Sequence, residues 1–541
     1  MRKNILLAIL LLGAAPAFLL ADCNTSCNTN SCATNCCPTS CSTGSGNCCG
    51  CPCSGKTYFE ARPLFQSYRP EYWTGFRNDR MIASEDGIGG AFEVVPFGAV
   101  SSNNNELAQY FLPNCKNCLY VEEAAIPGVT DVIGADLLAQ NFNIDTVDGT
   151  FTSTVTFQAS QSVIGVGFHY KQGFWFSDDR TQWSYLDIAT SVQRVKNTMT
   201  ICEYIGNDGG GADTTENPNA VGSMTAAFAQ NAWNYGKIDC TCPLTKTGLS
   251  DIELKLGREF LWREHCHLAA YFGFLIPTGN KAQGIYVFEP IVGHGKYFGL
   301  LGGGEGGFEL WSNQEDTWHL SIELACQGLY LFSKQQTRSF DLKGKPWSRY
   351  QEVYLNQAQA AQANDLAIAL DDSAAYLNTP GINVFTQSLN VTPGFIFNTT
   401  TVFLIAHDCG FDAEVGYNIY ARHAECVQLA CPWTPAAALK AADGAGQTNP
   451  VRDITGNPLL QDLNVSFDDY SDSIITADQL DLNSAAHPGY LAYIAHLALG
   501  YRWDGMNYPV HINIGGSYEF AEKTFAAMNR WVAWAKVGIA F

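Results

Sequence analysis

The run that most restricts the fold is the last one, Trp531-Val-Ala-Trp-Ala-Lys-Val-Gly-Ile-Ala-Phe541. Trp531, Ala533, Ala535, Val537, Ile539 and Phe541 fall on one parity and are all apolar. Val532, Trp534, Lys536, Gly538 and Ala540 fall on the other, which carries the only charge. Successive side chains of an extended strand point to opposite faces, so this run is a strand with one face wholly in an apolar medium. Two architectures accept such a strand: a soluble sandwich that buries the face against a second sheet, and a barrel that turns it toward lipid.

The opposite end of the chain bears on that choice. Arg2 and Lys3 precede an apolar run from Ile5 to Leu20, and Ala21 offers a small residue for cleavage. Residues 1–21 therefore read as a secretory signal peptide. Asp22 stands before Cys23 where a lipoprotein box needs a small residue, so lipidation is not expected. Past the signal there is no apolar run of about 18 residues, hence no candidate membrane helix. An exported chain can still cross a bilayer as a closed barrel, because closure satisfies every backbone hydrogen bond without water.

Composition narrows function more than fold. The 541 residues carry a formal charge of −21, which argues against nucleic acid, because phosphate binding needs clustered Lys and Arg. Ten of the 20 cysteines crowd into one stretch: Cys23, Cys27, Cys32, Cys36, Cys37, Cys41, Cys48, Cys49, Cys51 and Cys53. The residues between them are mostly Asn, Thr, Ser and Gly, so segment 22–56 cannot bury an apolar core and depends on covalent bonds for order. In an oxidising compartment those bonds are disulfides, within the chain or between chains. Thiolate binding of a soft metal is the alternative, but the spacings do not match a zinc ribbon.

From residue 57 onward the prevailing period is two. Phe151–Ala159, Ile164–Tyr170, His319–Phe332, Leu491–Trp503 and Val510–Phe520 each alternate apolar with polar or small residues. The late segments are long enough for tilted strands to cross a bilayer, whereas sandwich strands are typically about 5–6 residues. This predicts an all-β, antiparallel transmembrane barrel over 57–541, of about 16–18 strands, with long outer loops near 206–220, 355–395 and 432–489. Within the second loop, Gln357–Leu377 has helical spacing and is the expected segment to fold into a pore. The inward parity supplies the expected pore-lining residues: Glu323, His496, Arg502, His511, Glu519 and Lys536.

Motifs that could carry chemistry reduce to structural readings. Gly302-Gly-Gly-Glu-Gly-Gly307 fits a dinucleotide fingerprint in form, but Phe308-Glu-Leu-Trp311 continues it as a strand, not as the helix such a site requires. His265 and His267 share a strand face without a recognisable third ligand, so no metal site is assigned. Cys115 and Cys118 read as a disulfide or crosslinking pair, and Cys240, Cys242, Cys426 and Cys431 as oxidised loop cysteines. Asp468-Asp469-Tyr-Ser-Asp472 lacks the glycine turn and distal Glu of an EF-hand and reads as a solvated loop. There is no Gly-x-Ser-x-Gly, and the ten histidines are scattered. An enzyme, such as an outer-membrane hydrolase, is therefore the least supported class; no catalytic residue or cofactor is assigned.

Several phrases resemble those of porin-like major outer-membrane proteins of intracellular bacteria, of the chlamydia-like and Dependentiae kind. They are Arg62-Pro-Leu-Phe-Gln-Ser67, Gly90-Ala-Phe-Glu-Val-Val-Pro-Phe-Gly98, Phe274-Leu-Ile-Pro-Thr-Gly279, Ala226-Ala-Phe-Ala-Gln230 with Trp233-x-Tyr-Gly236, and Leu389-Asn-Val-Thr-Pro-Gly394. The resemblance covers roughly residues 57–541 and excludes the Cys-rich segment. It implies a trimeric outer-membrane pore abundant at the bacterial surface, with Phe541 as the membrane-insertion signal, and identifies no solute; passive diffusion of ions and small hydrophilic solutes is the function expected of so wide a barrel. The alternative is a structural envelope protein whose Cys-rich segment crosslinks a disulfide-bonded surface lattice. Acidic excess adds the expectation of a mild preference for cations.

Overall fold

The computed structural model describes residues 55–65, 89–113, 116–123, 135–215, 219–240, 242–263, 265–356, 358–359, 378–434, 438–440, 451–452, 474–503, 508–521 and 527–541. The signal peptide, the Cys23–Cys53 cluster, Cys115, the acidic Asp468–Asp472 run and nearly all of the 357–377 segment lie outside them.

Twelve strands close into one antiparallel barrel. In chain order they are β1 (Gly90–Ser101), β2 (Thr152–Phe176), β3 (Trp183–Asn207), β4 (Ile252–Arg263), β5 (Cys266–Ile276), β6 (Gly299–Ser312), β7 (Trp318–Leu331), β8 (Gly394–His407), β9 (Phe411–Arg422), β10 (Tyr490–Trp503), β11 (Val510–Ala521) and β12 (Arg530–Ala540). Each pairs with its neighbour in sequence, and the ring shuts where β1 pairs β12, with Ala91 opposite Ala540 and Ser101 opposite Arg530. Closure removes the sheet edges that would otherwise present unpaired backbone groups to lipid.

Twelve strands are fewer than the expected 16–18, for two reasons. Phe151–Ala159 and Ile164–Tyr170, expected as separate strands, are parts of one 25-residue strand, β2, paired along its length with the equally long β3. Long connections at one end of the barrel, 102–151, 208–251, 332–393 and 423–489, also absorb chain that strand counting assigns to the wall. The other ten strands run 11 to 14 residues, the length a tilted strand needs to cross a bilayer.

The two ends differ sharply. At one, strands are joined by the short connections 177–182, 264–265, 313–317, 408–410 and 504–509, and both Gly90 and Phe541 lie there. At the other, the long connections fold into a cap with a core of its own. An antiparallel sheet of Lys334–Ser339, Thr386–Thr392 and Cys426–Leu429 packs with Phe111, Phe142, Phe228, Trp233, Phe340, Trp347, Tyr350 and Phe385. The upper halves of β2 and β3 contribute Val155, Phe157, Met199 and Ile201 to this core, which fixes the cap on the barrel. Short turns on the periplasmic side and long loops outside are the outer-membrane arrangement.

The outward parity forms an apolar belt. Ile164, Leu256, Phe272, Phe403, Val415, Leu497, Ile512, Ile514 and Val537 are exposed along its middle. Aromatics gather toward its two margins: Trp311, Trp318, Tyr501 and Trp503 near the short turns, and Phe274, Phe298, Tyr330, Phe332 and Trp531 near the cap. Exposed apolar surface of this extent is costly in water and stable in hydrocarbon, with the rings at the two interfaces. In β12, Trp531, Ala533, Val537 and Ile539 are exposed, while Val532, Trp534, Lys536 and Gly538 face inward.

Candidate functional site: the charged lumen

The inward parity encloses a lumen dense in ionisable side chains. Glu93 on β1 is fully buried between three cation-forming groups: His169 on β2 at 3.2 Å, His511 on β11 at 3.0 Å and Lys536 on β12 at 3.6 Å. The second nitrogen of His169 lies 3.2 Å from Asp187 on β3. Lys171, Asp187 and Lys255 stand directly opposite one another across β2, β3 and β4, a plus–minus–plus row set by register alone. Lys171 reaches Glu305 at 3.4 Å, and Lys255 reaches Glu253 at 3.3 Å. On the far wall, His267 lies 2.7 Å from Glu323 and 3.6 Å from Glu259, and His496 lies 3.3 Å from Glu414.

Glycine makes this crowding feasible. A Cβ on Gly307 would lie 1.9 Å from Glu323, one on Gly416 would lie 1.9 Å from His496, and one on Gly538 would lie 2.1 Å from His511. Each large inward group therefore occupies the space above a glycine on the neighbouring strand. Residues 302–307 are the densest instance and belong to strand β6, in which Gly303 receives the Tyr271 ring.

Among the described residues, lumenal carboxylates (Glu93, Asp187, Glu253, Glu259, Glu305, Glu323, Asp412, Glu414) outnumber lumenal lysines (Lys171, Lys255, Lys536). Ser191 Oγ, Asn398 Oδ1 and Asn418 Oδ1 have no hydrogen-bond partner among the described protein groups. In a dry interior each such group costs roughly 1–3 kcal/mol, more when charged, and in a hydrated lumen the penalty vanishes.

A segment from the N-terminal side enters this lumen from the cap. Lys56 and Thr57 bond to Asn483 O and Ser339 O within the cap, and Gly55 O accepts from Arg349 at 3.1 Å. Tyr58 donates to Glu60 at 2.6 Å, and Glu60 meets Arg422 at 3.1 Å, where β9 ends. Arg422 and Arg338 share Glu425, so charges alternate along a buried chain. Burial alone would raise the Glu425 carboxyl, but the Arg338 and Arg422 charges outweigh it and carry it down to about 2. Next to them, burial and the Arg422 charge push His487 down to about 3, so its imidazole is neutral.

Farther in, Arg62 clasps Glu519 on β11 with two bonds of 3.2 and 3.0 Å. Arg530 on β12 binds the same carboxylate at 2.7 Å and donates to Arg62 O at 2.6 Å. Phe65 lies on Gly167, whose Cβ would be 2.0 Å from the ring, and stacks on Phe97 at 6.2 Å. Leu64, Phe65, Val95, Phe97, Val163 and Trp534 form an apolar plug within the polar lumen.

The structure places the sequence-derived candidates as follows. Glu323, His496, His511, Glu519 and Lys536 are buried on the inward face in the contacts just described. Arg502 shares their parity and lies at the short-turn mouth, its backbone N–H bonded to Gly410 O at 2.8 Å. Phe541 exchanges backbone hydrogen bonds with Gly90 and stacks near Tyr170 at 6.4 Å. Residues 62–65 stand in the lumen, while nearly all of Gln357–Leu377, the segment expected there, lies outside the described residues. Cys118, Cys240, Cys242 and Cys431 carry free, exposed thiols, and Cys426 is disulfide-bonded. Glu93, His169, Lys171, Asp187 and Lys255 were not among the pore-lining candidates, although each obeys the same period-two rule and His169 stands on the polar parity of Ile164–Tyr170.

No family model matches the chain, and no curated protein matches its sequence. Among solved structures it is similar to an outer membrane channel from Pseudomonas putida F1 (8% identity, 84% of this chain and 96% of that one, TM-score 0.35). It is likewise similar to a FadL homologue of Pseudomonas aeruginosa (9% identity, 87% and 96%, TM-score 0.28) and to OmpF of Salmonella typhi (6% identity, 83% and 96%, TM-score 0.21). Closure, the apolar belt with aromatic margins and the asymmetry of turns and loops make the chain an outer-membrane β-barrel in its own right.

Proposed function

We propose that this barrel is a channel through which ions and small hydrophilic solutes cross the outer membrane passively, with a mild preference for cations. The observation that carries the reading is the contrast between the faces of each strand: apolar outside, and inside a belt of carboxylates, lysines and histidines with buried polar atoms that no described protein group satisfies. Excess carboxylate in a narrow lumen lowers the energy of a cation and raises that of an anion, which sets the direction of selectivity. The Arg62–Phe65 insertion narrows the path, so solute size is limited more tightly than in an unobstructed barrel. No covalent step enters this reading. Phe541, closing the last strand at the short-turn end, serves as insertion signal. The trimer implied by the family resemblance belongs to the same proposal and is read from sedimentation in detergent.

Swelling of proteoliposomes in isotonic solutes of graded size tests the reading. Small sugars and amino acids should drive swelling, with a sharp cut-off as size increases. Absence of swelling in every solute, with insertion verified by heat-modifiable mobility, would overturn it.

A second reading, a crosslinked envelope protein, draws support from the exposed thiols of Cys118, Cys202, Cys240, Cys242 and Cys431. Non-reducing electrophoresis of intact envelopes separates the two. Ladders that collapse with reductant support crosslinking, and a single band argues against it.

A further inference from the structure

At the short-turn mouth, three connections bring together side chains that no part of the channel reading uses. Glu309 on β6, Asp316 in the following turn and His319 at the start of β7 each offer a ligand atom within 4.8 Å of the others. His319 Nδ1 is 3.1 Å from Glu309 Oε2. His265, from the turn between β4 and β5, places Nδ1 3.5 Å from the other oxygen, Glu309 Oε1. A tetrahedral ion with bonds of roughly 2.0–2.1 Å holds its donor atoms about 3.3 Å apart, which the His319–Glu309 spacing matches, while His265 stands beside the other oxygen of that carboxylate, where a turn of its exposed ring would complete the shell. The remaining nitrogen, His319 Nε2, lies 3.4 Å from Asp408 in the turn between β8 and β9. A carboxylate on the far nitrogen of a ligating imidazole orients the ring and raises its basicity, and metal sites recurrently include one.

We propose that His319, Glu309, Asp316 and His265 form a site for a divalent transition metal of the zinc type, with Asp408 as positioning residue. Two imidazoles and two carboxylates favour zinc over calcium or magnesium, which prefer all-oxygen shells. Glu309 is central, because both imidazoles meet its carboxylate. Bound metal would replace charge-assisted contacts among flexible side chains with bonds that tie three turns together at the channel mouth. The inference does not depend on conduction and stands if the channel reading fails.

The test is titration of Zn2+ into the full mature chain in detergent, its thiols alkylated, against a chromophoric chelator, with mobility on heating as the check of folding. One zinc should bind per chain at micromolar concentration or below, unaffected by millimolar Mg2+. H319A should weaken binding by more than about 100-fold, and D408N by about 10- to 100-fold with unchanged stoichiometry. Co2+ should give the visible absorption of a four-coordinate ion in the wild type and lose it in E309Q. Binding that is equal in wild type, H319A and E309Q, or absent below millimolar zinc, would overturn the proposal.

Discussion

Gly167→Val probes the lumenal insertion by adding a branched side chain where the strand carries none. The backbone at this position is β-strand, and a β-branched residue suits it. A Cβ there, however, would come within 2.0, 2.3 and 2.5 Å of three atoms of the Phe65 ring. The ring must leave, because the strand that would otherwise yield is paired on both sides, Gly167 with Val95 and with Ser191. Expelling a buried Phe loses about 1.5–3 kcal/mol of apolar burial, and the stack on Phe97 adds about 0.5–1.5 kcal/mol. The opening equilibrium of residues 62–65 should rise by about 30- to 1600-fold, at ~1.4 kcal/mol per decade. Hydrogen exchange with mass spectrometry reads this directly, since amides of a locally opening segment exchange in proportion to its open population. Exchange at Arg62, Leu64 and Phe65 should accelerate by that factor. Lys56 and Thr57, bonded to Tyr110 O and Ser484 O in the cap, should stay protected. Unchanged exchange at 64 and 65 would refute the placement of Phe65. Equal acceleration throughout the barrel would mean global destabilisation and refute a local plug.

Further outcomes follow from the same contacts. Glu519→Gln leaves Arg62 and Arg530 facing an uncharged amide in a buried site, and should lower stability by about 3–5 kcal/mol in denaturant titration; a loss under 1 kcal/mol would show the carboxylate to be hydrated. Glu93→Gln removes the charge shared by His169, His511 and Lys536 and should shift the reversal potential toward anions; no shift would place Glu93 off the ion path. The cap should loosen in acid. His487 and Glu425 hold fewer protons folded, at about 3 and about 2, than unfolded, at 6.5 and 4.5. The stability they contribute is present above those unfolded values and lost as pH falls, between 6.5 and 3 for His487 and between 4.5 and 2 for Glu425. Tryptophan emission of Trp347 and Trp433 across this range is the readout, and a cap indifferent to acid would contradict the burial of both groups.

Period two made the wall of this protein readable from sequence, because each strand meets lipid on one side and charge on the other. Leu491–Trp503, Val510–Phe520 and Trp531–Phe541 were delimited within a residue or two for that reason. Strand number was not readable, since Val155, Phe157, Met199 and Ile201 alternate as smoothly where β2 and β3 rise into the cap as where they line the barrel. The lumen was half readable. Parity identifies Glu323 or His511 as inward, but the meeting of Glu93 with His169, His511 and Lys536 depends on the register between strands far apart in sequence. The insertion of Arg62–Phe65 carried no local signal, because a short segment with one Pro and mixed polarity reads as any loop. Its position is fixed by partners more than 450 residues away, Glu519 and Arg530.

The central claim is a water-filled, acid-lined path through the barrel, and single-channel recording of the mature protein in a planar bilayer under a KCl gradient tests it most directly. Discrete conductance steps with a reversal potential displaced toward that of K+ are predicted. A silent bilayer containing verified inserted protein, or a reversal potential displaced toward that of Cl−, would contradict the account.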